Sequence, residues 1–182
     1  MLEAKLINIR NIRRGIFPGR FQPPHKGHGE VIKWALKRVD ELIIAIGTAQ
    51  ESHTLQNPFT AGERIVMLKL MLNDLNIDQT RIYLIPIPDI FMNKVWVKYV
   101  EALTPEFHVA ITRNPLVLRL FKESGYEVET PPAYNREVYR STYIRRLMIE
   151  GGNWRELLTP SVVKYIEYIN GVERLKLLIQ GD

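Results

Sequence analysis

Short apolar runs alternate with amphipathic stretches along most of this chain. Gly15-Ile16-Phe17-Pro18 closes one run, and Val31, Ile32, Trp34, Ala35, Leu36 and Val39 then recur at roughly helical spacing. Leu42 to Ile46, within Glu41 to Gly47, is apolar throughout, as in a parallel strand covered on both faces. Thr60-Ala61-Gly62-Glu63 has the spacing of a capping box and opens a helix carrying Ile65, Val66, Leu68, Leu72 and Leu75. A third strand is expected over Arg81 to Ile87, followed by a helix from about Asn93 to Leu103. Val109 to Thr112 reads as a fourth strand, Pro115 to Lys122 as a helix closed by Gly125, and Tyr126 to Val128 as a fifth strand.

Strands that alternate with helices and join through right-handed crossovers build a Rossmann-like three-layer α/β/α fold around a parallel five-stranded sheet. Ligands of such sheets bind beyond the carboxyl ends of the strands, near the point where the strand order reverses. The last quarter differs. Ser141 to Ile149, Trp154 to Leu158 and Pro160 to Ile169 read as consecutive short helices, so about 141–178 is expected to be a helical C-terminal cap within a single domain.

Composition narrows the class. With 182 residues and 46% apolar content, one continuous core is expected. The chain has no cysteine, which excludes a disulfide scaffold and a thiolate zinc site and is compatible with a reducing cytosol. Residues 1–14 mix Glu3, Lys5, Arg10, Arg13 and Arg14 with isolated aliphatics, unlike a secretory signal, and read as an N-terminal extension. No run approaches the roughly 18 apolar residues that cross a membrane. The expectation is a soluble, cytoplasmic protein. The net charge of +5 favours anionic partners without choosing among them, and basic residues alternate with acids on most expected helices. Nucleic acid is not the expected partner.

The chemistry concentrates in Gly19-Arg20-Phe21-Gln22-Pro23-Pro24-His25-Lys26-Gly27-His28, where the first strand gives way to the first helix. Free backbone N–H groups and the positive end of the helix dipole attract anions there, and glycine admits a ligand close to the backbone. Pro23-Pro24 delays the helix, so His25 and His28 face one ligand from its entrance. Two other readings are a helix-capping histidine pair and a two-histidine metal site. The latter would need further donors, yet only His53 and His108 remain among the histidines. A second helix entrance, Arg140-Ser141-Thr142-Tyr143-Ile144-Arg145, follows the last strand. Ser141 or Thr142 could cap it, with Arg145 in its first turn; alone, this is also an ordinary N-cap with a surface arginine.

Taken together, the two segments resemble the HxGH and ISxTxxR motifs of the nucleotidyltransferase superfamily. Gly47-Thr48-Ala49-Gln50-Glu51-Ser52-His53, Pro58 to Arg64, Asn93, Trp96, Asn114-Pro115-Leu116-Val117 and Ile169 to Arg174 are similar to the archaeal nicotinamide-nucleotide adenylyltransferases. The likeness runs from about Gly15 to Leu178. Pro18, Arg113 and Arg140 depart from the pattern, the two arginines standing where small residues are usual.

The resemblance implies transfer of the adenylyl group of ATP to nicotinamide mononucleotide, giving NAD and pyrophosphate, with nicotinate mononucleotide as a further possible acceptor. It implies His25, His28 and Arg145 as the catalytic set, and Phe17, Gly19, Arg20, Gly27, Asn114, Ser141 and Thr142 with them around ATP. Thr48, Asp89, Ile90, Asn93 and Trp96 would hold the mononucleotide, Trp96 by stacking on the pyridinium. Trp96 also reads as an ordinary core aromatic beside Val97 and Val100, as do Trp34 and Trp154. Mg²⁺ would arrive with the ATP phosphates, no protein metal site being expected. A homohexamer is expected from the family. Other acceptors (flavin mononucleotide, phosphopantetheine, or those of cytidylyl transfer) and a non-catalytic nucleotide- or RNA-binding module are the alternatives.

Overall fold

The computed structural model describes residues 12–180. Five parallel strands form one sheet: β1 (Arg14–Gly19), β2 (Glu41–Ile46), β3 (Ile82–Pro86), β4 (Val109–Ile111) and β5 (Glu127–Glu129), in the order β3-β2-β1-β4-β5. The order reverses between β1 and β4, so these two strand ends diverge into different connections and open a crevice between them. Register is continuous along β1 and β2, from Arg14 opposite Glu41 to Gly19 opposite Ile46.

Alternation along the strands creates two cores. Leu42, Ile44 and Ile46 pack on one face, with Phe17, Val109 and Ile111; Ile43 and Ala45 pack on the other, with Ile16 and Ala110. The first face carries α1 (Lys26–Ala35), α2 (Ala61–Asp74) and the C-terminal helices α5 (Ser141–Glu150), α6 (Pro160–Tyr168) and α7 (Gly171–Gln180). The second carries α3 (Asn93–Leu103) and α4 (Pro115–Glu123). Trp154 is fully enclosed in the first core, while Trp34 lies at its margin with the Arg38 guanidinium 3.8 Å above its ring. Both are packing residues.

The capping box at Thr60 is formed: its hydroxyl accepts from the Glu63 amide at 3.1 Å and the Glu63 carboxylate from the Thr60 amide at 2.8 Å. Glu63 has a second task. Arg174 of α7 donates to both of its oxygens, at 2.7 and 2.8 Å, and to the Pro58 carbonyl at 3.0 Å. This bidentate pair, which draws the Glu63 carboxyl below its usual pKa, ties the last helix to the loop leading into α2.

Strand ends shift by a residue from the sequence reading, and the two ends of the described range differ more. β1 begins at Arg14, whose Nε donates to Glu41 at 2.6 Å, so the last residue assigned to the extension belongs to the sheet. Residues 1–11 lie outside the described range. At the other end, α7 is a separate helix, and the expected helix at Trp154 to Leu158 is a single 3-10 turn, Arg155–Leu157. Among the described residues no helix is long and apolar enough to cross a membrane.

Candidate active site

His25 and His28 cap α1 reciprocally. The Nδ1 of His25 accepts from the His28 amide at 3.3 Å, and the Nδ1 of His28 accepts from the His25 amide at 3.2 Å. The rings stack with centroids 3.7 Å apart. Capping and ligand-facing readings of this pair are therefore compatible: one nitrogen of each ring satisfies the helix, and the neutral tautomer this requires carries its proton on Nε2. Burial pushes His25 down to about 3 and His28 well below the ordinary histidine value, His28 further so because His25 lies against it. Without ligand both rings are neutral at pH 7 and offer an Nε2–H donor each, not a cation.

Two cavities flank the strand ends. One, of about 180 Å³, is walled by Phe17, His25, His28, Arg113, Arg136 and Tyr139. The other, of about 400 Å³, is walled by Arg20, Thr48, Asp89, Asn93, Trp96 and Asn114. Phe17 and Pro18 are consecutive on β1, as are Arg113 and Asn114 after β4, and each pair divides between the cavities. Successive strand residues leave opposite faces of the sheet, so the point of strand reversal serves a pocket on either side.

The second cavity is organised around Asp89. Thr48, held at φ 52, donates its hydroxyl to the Asp89 carboxylate at 2.7 Å, and the Gln50 side-chain oxygen accepts from the Asp89 amide at 2.9 Å. Trp96 is half-buried and meets Phe121 edge-on at 5.7 Å, so one part of the indole belongs to the second core while another faces the cavity. Phe91, 82% exposed, and Met92 add apolar surface to the same wall.

A cytidylyltransferase-like family model matches residues 16–147. The chain is 59% identical to the nicotinamide-nucleotide adenylyltransferase of Saccharolobus solfataricus over 93% of this chain and 98% of that protein. It is 53% identical to that of Methanothrix thermoacetophila, over 94% and 99% respectively. The chain belongs to the nicotinamide-nucleotide adenylyltransferase family. Its fold matches a bifunctional NMN adenylyltransferase/ADP ribose pyrophosphatase from Francisella tularensis with a TM-score of 0.77 at 20% identity, covering 91% of this chain and 53% of that one. The chain thus spans about half the length of that bifunctional protein. Nicotinic acid mononucleotide adenylyltransferase from Plasmodium falciparum, complexed with NaAD, matches with a TM-score of 0.62 at 15% identity over 90% and 98% of the two chains.

Against the residues that the family resemblance implied, the structure regroups several. Phe17, His25, Gly27 and His28 share the first cavity, and Thr48, Asp89, Asn93 and Trp96 share the second. Gly19, Arg20 and Asn114, which the resemblance placed around ATP, line the second cavity, at the β1 and β4 ends on the α3 and α4 side. Asn114 is also the N-cap of α4, its side-chain oxygen accepting from Leu116 and Val117 amides at 3.0 and 3.2 Å. Ile90 is not among the lining residues.

The second family motif departs further. Arg145 is 7% exposed and walls neither cavity; its Nε donates to the Leu55 carbonyl at 2.9 Å and its Nη1 to the Gln22 carbonyl at 2.8 Å. Burial and the nearby Arg20 charge lower it to about 10. Its Nη2 has no hydrogen bond among the described residues. Neither Ser141 nor Thr142 caps α5, whose N-cap is Arg140 with no side-chain bond. Ser141 is already helical and donates its hydroxyl to the Pro23 carbonyl at 3.0 Å, joining the two motifs covalently distant in sequence.

Arg113, singled out in the sequence only as a departure from the family pattern, lines the first cavity, and Arg136 and Tyr139 are wall residues that the sequence reading missed. Arg113 donates to the Pro131 carbonyl, and Arg136 and Tyr139 lie in the irregular stretch after β5, where no periodicity flags them. Gly27 also acquires a different reason. A Cβ there would lie 2.7 Å from the Tyr139 Cβ, so the glycine admits this loop and not only a ligand. Among the described residues no group of three or more His, Asp or Glu side chains is arranged to hold a metal ion.

Proposed function

We propose that the chain transfers the adenylyl group of ATP to nicotinamide mononucleotide, forming NAD and releasing pyrophosphate. The observation that carries this reading is the histidine pair, whose Nε2–H groups remain for a ligand at a helix entrance, beside a second cavity walled by an indole, a carboxylate and an amide. The mononucleotide phosphate attacks the α-phosphorus, a new P–O bond forms, and the bond to the β-phosphate oxygen breaks. That nucleophile is already an anion at neutral pH, so no general base is required; the work is to align two anions and stabilise the charge that develops.

His28 donates to the α-phosphate and His25 to the β- and γ-phosphates. Arg113 and Arg136 in the first cavity and Arg20 in the second add positive charge for the phosphates. Arg20 lies at the junction, where its cavity also receives the acceptor phosphate. The α5 entrance, left without a side-chain cap, offers its first amides to the triphosphate, while Arg145, which walls neither cavity, keeps Nη2 as its one uncommitted nitrogen and holds the Gln22 and Leu55 carbonyls beside the site. A divalent cation, Mg²⁺ in the first instance, accompanies ATP and takes its ligands from phosphate and water.

Trp96 stacks on the pyridinium while Asp89 and Asn93 address its carboxamide. Nicotinate mononucleotide carries a carboxylate at that position, which Asp89 repels, so it is the weaker acceptor. The protein works in the cytoplasm as a homo-oligomer, a hexamer by family expectation; Tyr168 and Leu177, 82% and 67% exposed on the last two helices, are apolar surface suited to subunit contact. The deciding experiment is chromatographic detection of NAD and pyrophosphate from ATP and nicotinamide mononucleotide, with flavin mononucleotide and phosphopantetheine in parallel. Product from another acceptor alone, or binding without pyrophosphate release, would overturn the assignment.

A further inference from the structure

Arg64, in the first turns of α2, is wholly buried, yet among the described residues no carboxylate bonds it. Its guanidinium donates to four backbone carbonyls instead: Nε to Thr60 at 3.3 Å, Nη1 to Arg20 at 2.9 Å and to Gly47 at 2.7 Å, and Nη2 to Thr48 at 3.0 Å. Burying a guanidinium without an anionic partner is costly, and an apolar side chain of similar volume would fill the same space without that cost.

What Arg64 holds explains its presence. The β1–β2 ladder ends with Gly19 opposite Ile46 and one further bond from the Gly47 amide to the Gly19 carbonyl. Beyond it the strands part, and the carbonyls of Arg20, Gly47 and Thr48 lose their ladder partners inside the protein. The planar guanidinium bonds all three, the Thr48 carbonyl also accepting from the Glu51 amide at 3.3 Å, and spans both strand ends. Two of the residues so fixed, Arg20 and Thr48, line the second cavity, the latter kept at φ 52 with its hydroxyl on Asp89. Burial and the Arg20 charge lower Arg64 to about 10, with Asp89 opposing, so it stays charged at neutral pH.

We propose that Arg64 is a positioning residue for the transfer: it touches neither substrate, and by joining the ends of β1 and β2 it sets the spacing between Arg20 and Thr48 and so the alignment of the acceptor phosphate with ATP. This rests on the adenylyl-transfer reading. Lysine keeps the charge but presents its donors from one point and cannot span the three carbonyls.

The test compares the native chain with Arg64→Lys and Arg64→Gln, counting competent sites by calorimetric binding of nicotinamide mononucleotide and of ATP. Expected for both variants is a kcat per competent site lower by about 10- to 100-fold, the scale of a sub-ångström to ångström misalignment, with each substrate's Kd within about threefold of native. A kcat per site within about threefold of native would overturn the proposal. So would failure of both variants to yield any competent sites, which would assign Arg64 to folding alone. A native chain that makes no NAD refutes the adenylyl-transfer reading; a native chain that does, with unimpaired variants, refutes only the role of Arg64.

Discussion

Truncating Trp96 to alanine separates substrate recognition from packing, because the indole serves both. Its edge contact with Phe121 at 5.7 Å and its half-buried position predict a loss of about 2–3 kcal/mol, less than the roughly 3–5 kcal/mol of a fully enclosed tryptophan. The face turned to the cavity predicts something else. Stacking on a pyridinium contributes about 0.5–2 kcal/mol, which corresponds to a rise of about two- to thirtyfold in the acceptor KM. If the stack is equally strong in ground and transition states, kcat changes little, and the KM for ATP scarcely moves, since Trp96 lies across the crevice from the histidines. Steady-state kinetics in both substrates, on protein whose folded fraction is established by denaturant titration, measures all of these together. Trp96→Phe retains a ring and should restore most of the acceptor affinity. A folded Trp96→Ala protein that is destabilised yet keeps the native acceptor KM would show that the indole is packing only and remove the mononucleotide from this cavity wall.

His28→Ala should lower kcat by about a hundredfold, as for the loss of one donor to developing charge, while calorimetry finds the mononucleotide still bound; a near-native kcat removes His28 from the chemistry. The histidine pair also makes stability depend on pH. Below the ordinary value of 6.5 the unfolded chain takes up protons that the folded chain refuses, so stability falls as pH drops from about 6.5 towards 3, by at most about 5 kcal/mol for His25. His25→Asn keeps an acceptor at the N-cap but cannot titrate, so its denaturation midpoints should decline less steeply between pH 6.5 and 4; identical slopes would refute the assignment. Gly27→Ala places a Cβ 2.7 Å from the Tyr139 Cβ and 3.1 Å from the His25 Nδ1, which should cost about 1–3 kcal/mol and raise the KM for ATP. Native stability and KM together would show that the loop after β5 does not need this close approach.

The order of elements was legible from periodicity because each reports a local rule. Leu42 to Ile46 reads as a doubly covered strand, Thr60 and Glu63 close a capping box within four residues, and the paired histidines stand at a strand-to-helix turn whichever way the chain packs. The strand-to-helix turn carrying the two histidines was therefore visible in one dimension, whereas the Asp89 and Trp96 wall was expected only from the family resemblance. Partition of the site was not visible. Whether Arg20 and Asn114 face the histidines or Trp96 depends on which side of the sheet each residue leaves after the strand order reverses, a property of the assembled β1–β4 junction. The fate of each arginine was equally hidden, since a guanidinium is alike in sequence whether it meets a ligand or a carbonyl. Arg136 reached a cavity from a stretch with no periodic signal, Arg145 turned towards the carbonyls of Gln22 and Leu55, and Arg64 was claimed by strand ends that lie 44 and 17 residues away along the chain. Local periodicity specifies where a residue sits on its own element, but the partner of a buried polar group is chosen only when distant backbone is brought close enough to need it.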